Sequence, residues 1–208
     1  MKRAVGFGAL VLVLAASAVF GWWWIDLRWR PHTLSAHEAQ IASTLESSGW
    51  VSPGISKTKV LWMISYRSCP DCVRFEEEEF PRLQAAGVDT RVIIAPRPLG
   101  TTAVERASVA ALWSGRSWKL YQAWTGMPVP AWTAPGLASP DSDPAAAAQL
   151  QRSEQFVAAM KPLLLDSGVH LHYPTLIWRD PQGRLRGCAC EKRETYRFVR
   201  SELGVAPA

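Results

Sequence analysis

The sequence predicts an α/β domain, and three observations favour this fold class. Residues 59–66 form an apolar, β-prone run that leads through a Cys-x-x-Cys motif into a segment rich in helix formers. A second segment, 88–95, follows Gly87 and is predicted as a buried strand. Strand, helix and strand in this order predict a right-handed βαβ unit with parallel strands. Towards the C-terminus, two further apolar runs and an amphipathic segment predict a ββα unit.

The region between these two units, about residues 100–167, predicts helices and no strand. The helical patterns cover residues 104–113, 118–124 and 145–165, and a Pro- and Ala-rich loop covers 127–144. Because proline lacks an N–H donor, Pro81 and Pro162 are expected to bend or end the helices that contain them. The expected domain is therefore a sheet with a helical insert between its two halves.

The ββα unit is predicted from residues 171–178 and 185–188 as strands and 191–203 as a helix. Residues 179–183 separate the strands and have the composition of a turn. Residues 31–56 are polar and carry one predicted helix, 35–47, in which Ser35 and Glu38 have the spacing of a capping box. We therefore predict three segments: an anchor at 1–27, a tether with a short helix at 28–57, and the domain at 58–205.

The N-terminal segment predicts export. Lys2 and Arg3 precede an uncharged run at residues 4–25, which is long enough for a transmembrane helix of about 20 apolar residues. Positive charge before the run predicts a cytoplasmic N-terminus. We predict an uncleaved single-pass anchor in the inner membrane with the rest of the chain in the periplasm. A signal peptide cleaved after Ala18, leaving a soluble periplasmic protein, is the alternative.

The charge of +5 and the pI near 9.2 do not indicate nucleic-acid binding. The basic residues are scattered along the chain and form no cluster with interleaved aromatic residues, so they are typical of a solvated surface. Without the N-terminal segment about 180 residues remain, enough for one domain with its own core.

Cys69 and Cys72 are the candidate reactive residues, with Pro70 and Asp71 between them. A cysteine between a strand and a helix lies at the helix N-terminus, where free N–H groups and the dipole favour a thiolate. The second cysteine can then resolve the mixed disulfide that the thiolate forms. The motif therefore predicts thiol–disulfide exchange, with Cys69 as the more exposed thiol. A zinc site and a purely structural disulfide are the alternatives.

The motif, together with Tyr173-Pro-Thr-Leu-Ile-Trp178 and Gly183-Arg-Leu-Arg-Gly187, resembles the thioredoxin fold. More narrowly, the chain is similar to the bacterial periplasmic Dsb proteins of the disulfide isomerase and oxidoreductase branch, which carry a helical insert. The resemblance covers about residues 58–203 and implies an enzyme without a cofactor.

The resemblance also implies roles for individual residues. It implies that Cys69 is the nucleophile, Cys72 the resolving thiol and Pro174 a cis-proline that faces the dithiol. The remaining residues that it places in contact with a client protein are Tyr173, Thr175, Pro70 and Asp71. The implied partners are exported proteins with cysteines and a membrane redox partner.

Two departures from the family concern its activity. The known isomerases have an N-terminal dimerisation domain, which residues 31–56 are too short to supply, so we predict a monomeric oxidase or reductase. Asp71 places a carboxylate between the two sulfurs and disfavours the thiolate, while Arg67 and Arg74 partly offset it. We therefore expect a redox poise more reducing than that of the strongest oxidants of the group.

Cys188 and Cys190 form a possible second redox or structural pair, because residues i and i+2 of a strand point the same way. If the chain runs as in the family, this end of the strand is distant from Cys69, and replacing the pair leaves exchange largely intact. His170 and His172 also share a strand face, and with the Cys-x-x-Cys motif they suggest a copper-delivery protein as a rival. An accessory component of an envelope secretion or conjugation machine is the other rival.

Overall fold

The computed structural model describes the backbone of residues 2–206 and the side chains of residues 13–206. The chain forms two compact units, Met1–Arg30 and Pro31–Ala208. The first consists of helix α1, Lys2–Ile25, and a 3₁₀ turn, Leu27–Trp29. Within residues 13–206, no helix has both the length and the apolar character that a bilayer span requires. Part of the predicted anchor, residues 4–12, lies outside the described side chains.

The second unit is built on a five-stranded sheet in the order β1-β5-β4-β2-β3. The strands are β1, His32–Thr33; β2, Val60–Ser65; β3, Asp89–Ile94; β4, Thr175–Arg179; and β5, Leu185–Ala189. Around them lie helices α2, Glu38–Ser47; α3, Pro70–Ala85; α4, Ala103–Gly115; α5, Trp118–Thr125; α6, Pro144–Leu165; and α7, Arg193–Glu202.

The predicted βαβ unit is confirmed. β2 and β3 are parallel, with Val60 opposite Asp89 and Ser65 opposite Ile94. Every residue of both strands is buried. This agrees with the nearly continuous apolar run of β2, whereas β3 begins with three buried polar residues, Asp89, Thr90 and Arg91. Gly87 has a φ of 75°, a left-handed conformation that glycine adopts without a steric penalty. The chain can therefore turn there from α3 into β3.

The ββα unit is also present, although its first strand is shorter than predicted. β4 is antiparallel to both β2 and β5 and begins only at Thr175, because residues 171–174 form a loop. The turn between β4 and β5 is held by the Asp180 carboxylate, which accepts the backbone N–H groups of Gln182 at 3.0 Å and Arg184 at 2.9 Å. The hairpin brings the start of β4 next to the end of β5.

Residues 31–56, predicted as part of a tether, belong to the compact domain. β1 pairs antiparallel with β5, and Leu34, Ile41 and Leu45 are completely buried. The predicted capping box is wrong, because α2 begins at Glu38 with His37 as its N-cap and has no capping bond from a side chain. Ser35 therefore lies outside the helix.

The predicted helical insert consists of α4, α5 and α6, with a 3₁₀ turn at Val129–Ala131 in the loop between α5 and α6. The two internal prolines do not end their helices: α3 continues past Pro81 to Ala85, and α6 past Pro162 to Leu165. In both cases a completely buried leucine follows the proline, Leu83 in α3 and Leu164 in α6. Burial of these side chains offsets the hydrogen bond that each proline removes.

Helices cover both faces of the sheet. On one face α3 packs against α7, where the rings of Phe75 and Tyr196 meet edge to face at 4.9 Å. The indole N–H of Trp178 donates to Glu202 of α7 at 3.0 Å. On the other face, the Trp113 indole of α4 donates to the carbonyl of Ile94 at 2.8 Å. The carboxyl end of β2, which leads to the Cys-x-x-Cys motif, lies between these two layers.

Candidate redox site

Cys69 caps the N-terminus of α3. Pro70 occupies the first helical position, where its missing N–H costs nothing, and the Cys69 Sγ accepts the N–H of Cys72 at 3.1 Å. Cys69 and Cys72 form a disulfide whose Cα atoms are 5.2 Å apart. The Cys69 sulfur thus lies where the N–H group of Cys72 and the helix dipole favour negative charge, which suits it to leave and attack as a thiolate.

The Tyr173–Pro174 peptide bond is cis, as the resemblance implied. It brings the carbonyl oxygen of Tyr173 to 3.4 Å from the Cys69 Sγ. The turn is closed by Thr175, whose hydroxyl donates to the carbonyl of His172 at 2.5 Å. The structure therefore brings together Cys69, Tyr173 and Pro174, which lie far apart in the sequence.

Both cysteines of the motif are buried, so the prediction that Cys69 is the more exposed thiol stays a prediction. Cys69 is 2% exposed and Cys72 is 1% exposed. The Tyr173 loop lies against the Cys69 sulfur, and the rings of Tyr66 and Tyr173 meet edge to face at 5.0 Å beside it. A capping position alone therefore does not expose the thiol, because the neighbouring loop contacts it. Pro70 is the exposed residue of the motif.

The Asp71 carboxylate is paired with Arg74 at 2.5 Å. Arg74 also donates to the backbone carbonyl of Glu191 at 2.6 Å, which ties the first turn of α3 to the segment after β5. The pairing partly neutralises Asp71, as predicted. Arg67 does not take part, because its guanidinium donates to the carbonyls of Trp124, Thr125 and Met127 in and after α5.

A cavity of about 410 Å³ lies between α3 and α5, lined among others by Arg67, Val73, Glu76 and Tyr121. Inside it the Tyr121 hydroxyl donates to the Glu76 carboxylate at 2.6 Å. Burial raises the pKa of Glu76 to about 7, even though the Tyr121 hydrogen bond and Arg67 act in the opposite direction. Glu76 thus titrates near neutral pH.

The acidic run 76–79 is therefore not simply a solvated helix face. Glu79 is 3% exposed and pairs with Arg200 of α7 at 2.5 Å. Sequence reasoning missed Glu76, although a signal was available: it follows Cys72 by four residues and so shares a helix face with that buried cysteine. The burial itself depends on α5, which the local sequence does not place.

Cys188 and Cys190 form a second disulfide, and the expectation that this end of the strand is distant from Cys69 is wrong. Cys188 lies opposite Leu176, and the N–H of Cys190 donates to the carbonyl of Pro174 at 2.9 Å. The reason is the antiparallel hairpin, which pairs the last residues of β5 with the first residues of β4. The second disulfide therefore lies beside the cis-proline loop.

The two histidines do not join a ligand set. His170 and His172 are exposed, with ring centroids 6.5 Å apart, and His172 lies 3.6 Å from a carboxylate oxygen of Glu191. Among residues 13–206, no group of three or more His, Cys, Asp or Glu side chains is arranged to hold a metal ion.

No protein-family model and no curated protein matches this chain. Among solved structures, it is similar to a periplasmic thioredoxin-like protein from Salmonella enterica serovar Typhimurium, at 15% identity and a TM-score of 0.47 over 80% of this chain and 98% of that one. It is also similar to Salmonella enterica Typhimurium BcfH, at 13% identity and a TM-score of 0.49 over 98% and 93% of the two chains. It is also similar to Pseudomonas aeruginosa DsbA2, at 18% identity and a TM-score of 0.42 over 75% of this chain and 92% of that one.

These likenesses are distant, so the fold is assigned from the chain itself. The features that assign it are the parallel β2–α3–β3 unit, the antiparallel β4–β5–α7 unit, the Cys-x-x-Cys motif at the start of α3 and the cis-proline before β4. Together they make up the thioredoxin-like fold that the sequence predicted.

Proposed function

We propose that this protein is a thiol–disulfide oxidoreductase that acts on the cysteines of exported proteins through Cys69 and Cys72. The observation that carries the proposal is the position of the Cys69 sulfur. It accepts an N–H at the start of α3 and lies 3.4 Å from the carbonyl of Tyr173, next to a cis-proline. This combination supplies a stabilised thiolate beside a backbone edge to which a client peptide can bind.

In the oxidising direction, a client thiolate attacks the Cys69 sulfur of the Cys69–Cys72 disulfide. The Sγ–Sγ bond breaks, and Cys72 leaves as a thiolate and takes up a proton. A second client thiolate then attacks the client sulfur of the mixed disulfide, which releases Cys69 as the thiolate that the helix N-terminus stabilises. Two electrons pass from the client to the protein, and the reverse sequence reduces a client disulfide.

Tyr173, Pro70 and Asp71 are the residues that we propose to contact the client, whereas Thr175, for which the resemblance implied the same role, is completely buried. Tyr173 offers its backbone next to Cys69, and Thr175 holds the turn through its bond to the carbonyl of His172. Exposed Pro70 and half-exposed Asp71 border the sulfur on the other side. An extended client segment can therefore add to the Tyr173 edge as a short strand while its cysteine approaches Cys69.

We further propose that residues 4–25 anchor the protein in the inner membrane, with the domain in the periplasm and a membrane protein as its redox partner. The charge pattern Lys2-Arg3 followed by an uncharged run supports this orientation. The domain acts as a monomer, and sedimentation of the detergent-solubilised chain should give one species. A tight dimer at micromolar concentration would favour an isomerase instead.

The test of the proposed function is a redox assay on the full-length chain. The wild type should equilibrate its Cys69–Cys72 pair with glutathione and should oxidise a reduced client peptide or reduce insulin. Cys69→Ala should abolish both activities while leaving the far-UV circular dichroism unchanged. A wild-type protein whose Cys69–Cys72 disulfide does not exchange with glutathione at any ratio would overturn the proposal.

A further inference from the structure

The segment that carries the Cys188–Cys190 disulfide pairs, residue by residue, with the segment that leads into the candidate site. Cys188 pairs across the hairpin with Leu176, and Ala189 with Thr175. The N–H of Cys190 then donates to the carbonyl of Pro174 at 2.9 Å. The residue before Pro174 is Tyr173, whose carbonyl contacts the Cys69 sulfur. Only the Tyr173–Pro174 segment therefore separates the Cys190 backbone from that sulfur.

A second connection runs through Arg74. Its guanidinium donates to the carbonyl of Glu191, the residue after Cys190, at 2.6 Å. The same side chain pairs with Asp71, which lies between Cys69 and Cys72. The segment 188–191 is thus bonded both to the cis-proline loop and to the first turn of α3, on either side of the reactive sulfur.

We propose that Cys188–Cys190 is a second redox pair that positions the Tyr173–Pro174 loop, so that its oxidation state sets the reactivity of Cys69. The inference rests on the proposed function of Cys69 and Cys72. When the disulfide is intact, the small ring fixes the backbone of residues 188–190 and with it the N–H that holds Pro174. When it is reduced, the backbone gains conformational freedom, and the Tyr173 carbonyl is held less firmly against the sulfur.

The reductant in this proposal is a dithiol, either small or carried by a protein. Its first thiolate attacks the sulfur of Cys188, which at 6% exposure is the more accessible residue, since Cys190 is 0% exposed. The bond between the two cysteines breaks, and Cys190 leaves as a thiolate and takes up a proton. The second thiol of the reductant resolves the mixed disulfide, which leaves two thiols at 188 and 190 and an oxidised reductant.

Coupling of this kind is reciprocal. If oxidation of Cys188–Cys190 changes the equilibrium constant for reducing Cys69–Cys72 by some factor, the state of Cys69–Cys72 must change the constant of the second pair by the same factor. A disulfide that only stabilises the fold gives no such effect on the potential of another pair. The reduction potentials therefore distinguish a positioning pair from a structural staple.

The experiment equilibrates full-length protein in glutathione buffers of defined ratio, quenches it with acid, alkylates the free thiols and reads each pair by peptide mass spectrometry. Cys188→Ala/Cys190→Ala should change the exchange constant of Cys69–Cys72 about fivefold, which is about 20 mV at about 30 mV per tenfold change. Cys69→Ala/Cys72→Ala should likewise change the constant of Cys188–Cys190 from its wild-type value. Leu185→Val, at the far end of β5, is the control for a loss of packing and should change neither constant.

Constants that stay within the error of the wild type in both double variants would overturn the inference. If a double variant does not fold, the redox state of the two pairs in the wild type alone tests whether they are coupled. Coupling makes the fraction of molecules with both pairs reduced differ from the product of the two separate fractions, and equality would overturn the inference. Absence of exchange at Cys69–Cys72 in the wild type would instead contradict the proposed function.

Discussion

Two cysteine pairs lie on either side of one loop, yet their backbones give them different chemistry. Cys69 and Cys72 bracket the first turn of a helix, where the N–H of Cys72 is free to donate to sulfur. Cys188 and Cys190 lie at the end of a strand, where the N–H of Cys190 is already bonded to the carbonyl of Pro174. The helix pair therefore has a donor for a thiolate, whereas the strand pair uses its donor to hold the loop.

The comparison shows that spacing alone does not define the role of a cysteine pair. Both disulfides have Cα atoms 5.2 Å apart, and all four cysteines are nearly or completely buried. The two pairs differ in which atoms accept the hydrogen bonds of the neighbouring N–H groups. In the first pair they can stabilise charge on sulfur, and in the second they complete a hydrogen-bond ladder. We therefore expect reactivity to concentrate at Cys69.

The largest expected effect separates the two pairs directly. Cys69→Ala removes the nucleophile, so client exchange should fall by at least about a thousandfold. Cys188→Ala/Cys190→Ala removes only the positioning pair, so exchange should stay within about tenfold of the wild type. Turnover of a reduced client peptide measures both. If both variants are folded and lose client turnover equally, the two cysteine pairs act in series and do not differ in the way proposed.

A trapping experiment tests the assignment within the first pair. Cys72→Ala leaves Cys69 without a resolving thiol, so mixed disulfides with clients should accumulate on Cys69. They should appear as bands on non-reducing gels that disappear with reductant. Cys69→Ala is the matched control and should trap few clients, because Cys72 lies a turn inside the helix. Comparable trapping in both variants would contradict the assigned roles.

Much of this arrangement could be predicted from the sequence. The segments 59–66 and 88–95 predicted β2 and β3: the first is a continuous apolar run, as expected of a strand buried on both faces, and the second ends in the β-branched, apolar residues Val92, Ile93 and Ile94. Cys69 at the start of α3 follows from the strand–motif–helix order, and the cis bond at Pro174 from the family resemblance. The position of Cys190 beside Pro174 could also have been derived, since a hairpin centred on the 179–183 turn pairs these ends.

Other features depend on contacts that no local pattern contains. β1 is only two residues long, His32–Thr33, and exists because it pairs with the edge of β5. The raised pKa of Glu76 depends on Tyr121, which arrives from the insert. The exposure of Cys69 is set by the Tyr173 loop more than by its helix. Such properties come from tertiary packing, so sequence periodicity does not reveal them.

Glu76→Gln neutralises an acidic side chain on α3, the helix that carries Cys69 and Cys72. The folded protein holds a proton on Glu76 up to about pH 7, whereas the unfolded chain releases it near 4.5. The folded state thus binds more protons between these values, and the free energy of unfolding of the wild type should fall as pH rises from about 5 to 8. In Glu76→Gln this decrease should be smaller by about 2 kcal/mol.

Urea unfolding at a series of pH values measures this difference. Glu77→Gln is the matched control, because Glu77 is the next residue on α3 and is exposed, so it should follow the pH dependence of the wild type. If Glu76→Gln and Glu77→Gln behave alike, burial of Glu76 does not set its titration.

The smallest expected effect concerns the charges beside Cys69. Its sign tests whether Asp71 and Arg74 act on the Cys69 thiolate through their charge. Arg74→Gln leaves the Asp71 carboxylate unpaired near the sulfur, which disfavours the thiolate and should make the Cys69–Cys72 pair more reducing. Asp71→Asn removes the negative charge and should make the pair more oxidising. Because both side chains are partly exposed, each change should be only about two- to threefold in the glutathione exchange constant. We expect the exchange constant to shift in opposite directions in the two variants, and both shifts to become smaller in high salt. Shifts in the same direction would show that the lost bond between Arg74 and Glu191 has a larger effect than the charge.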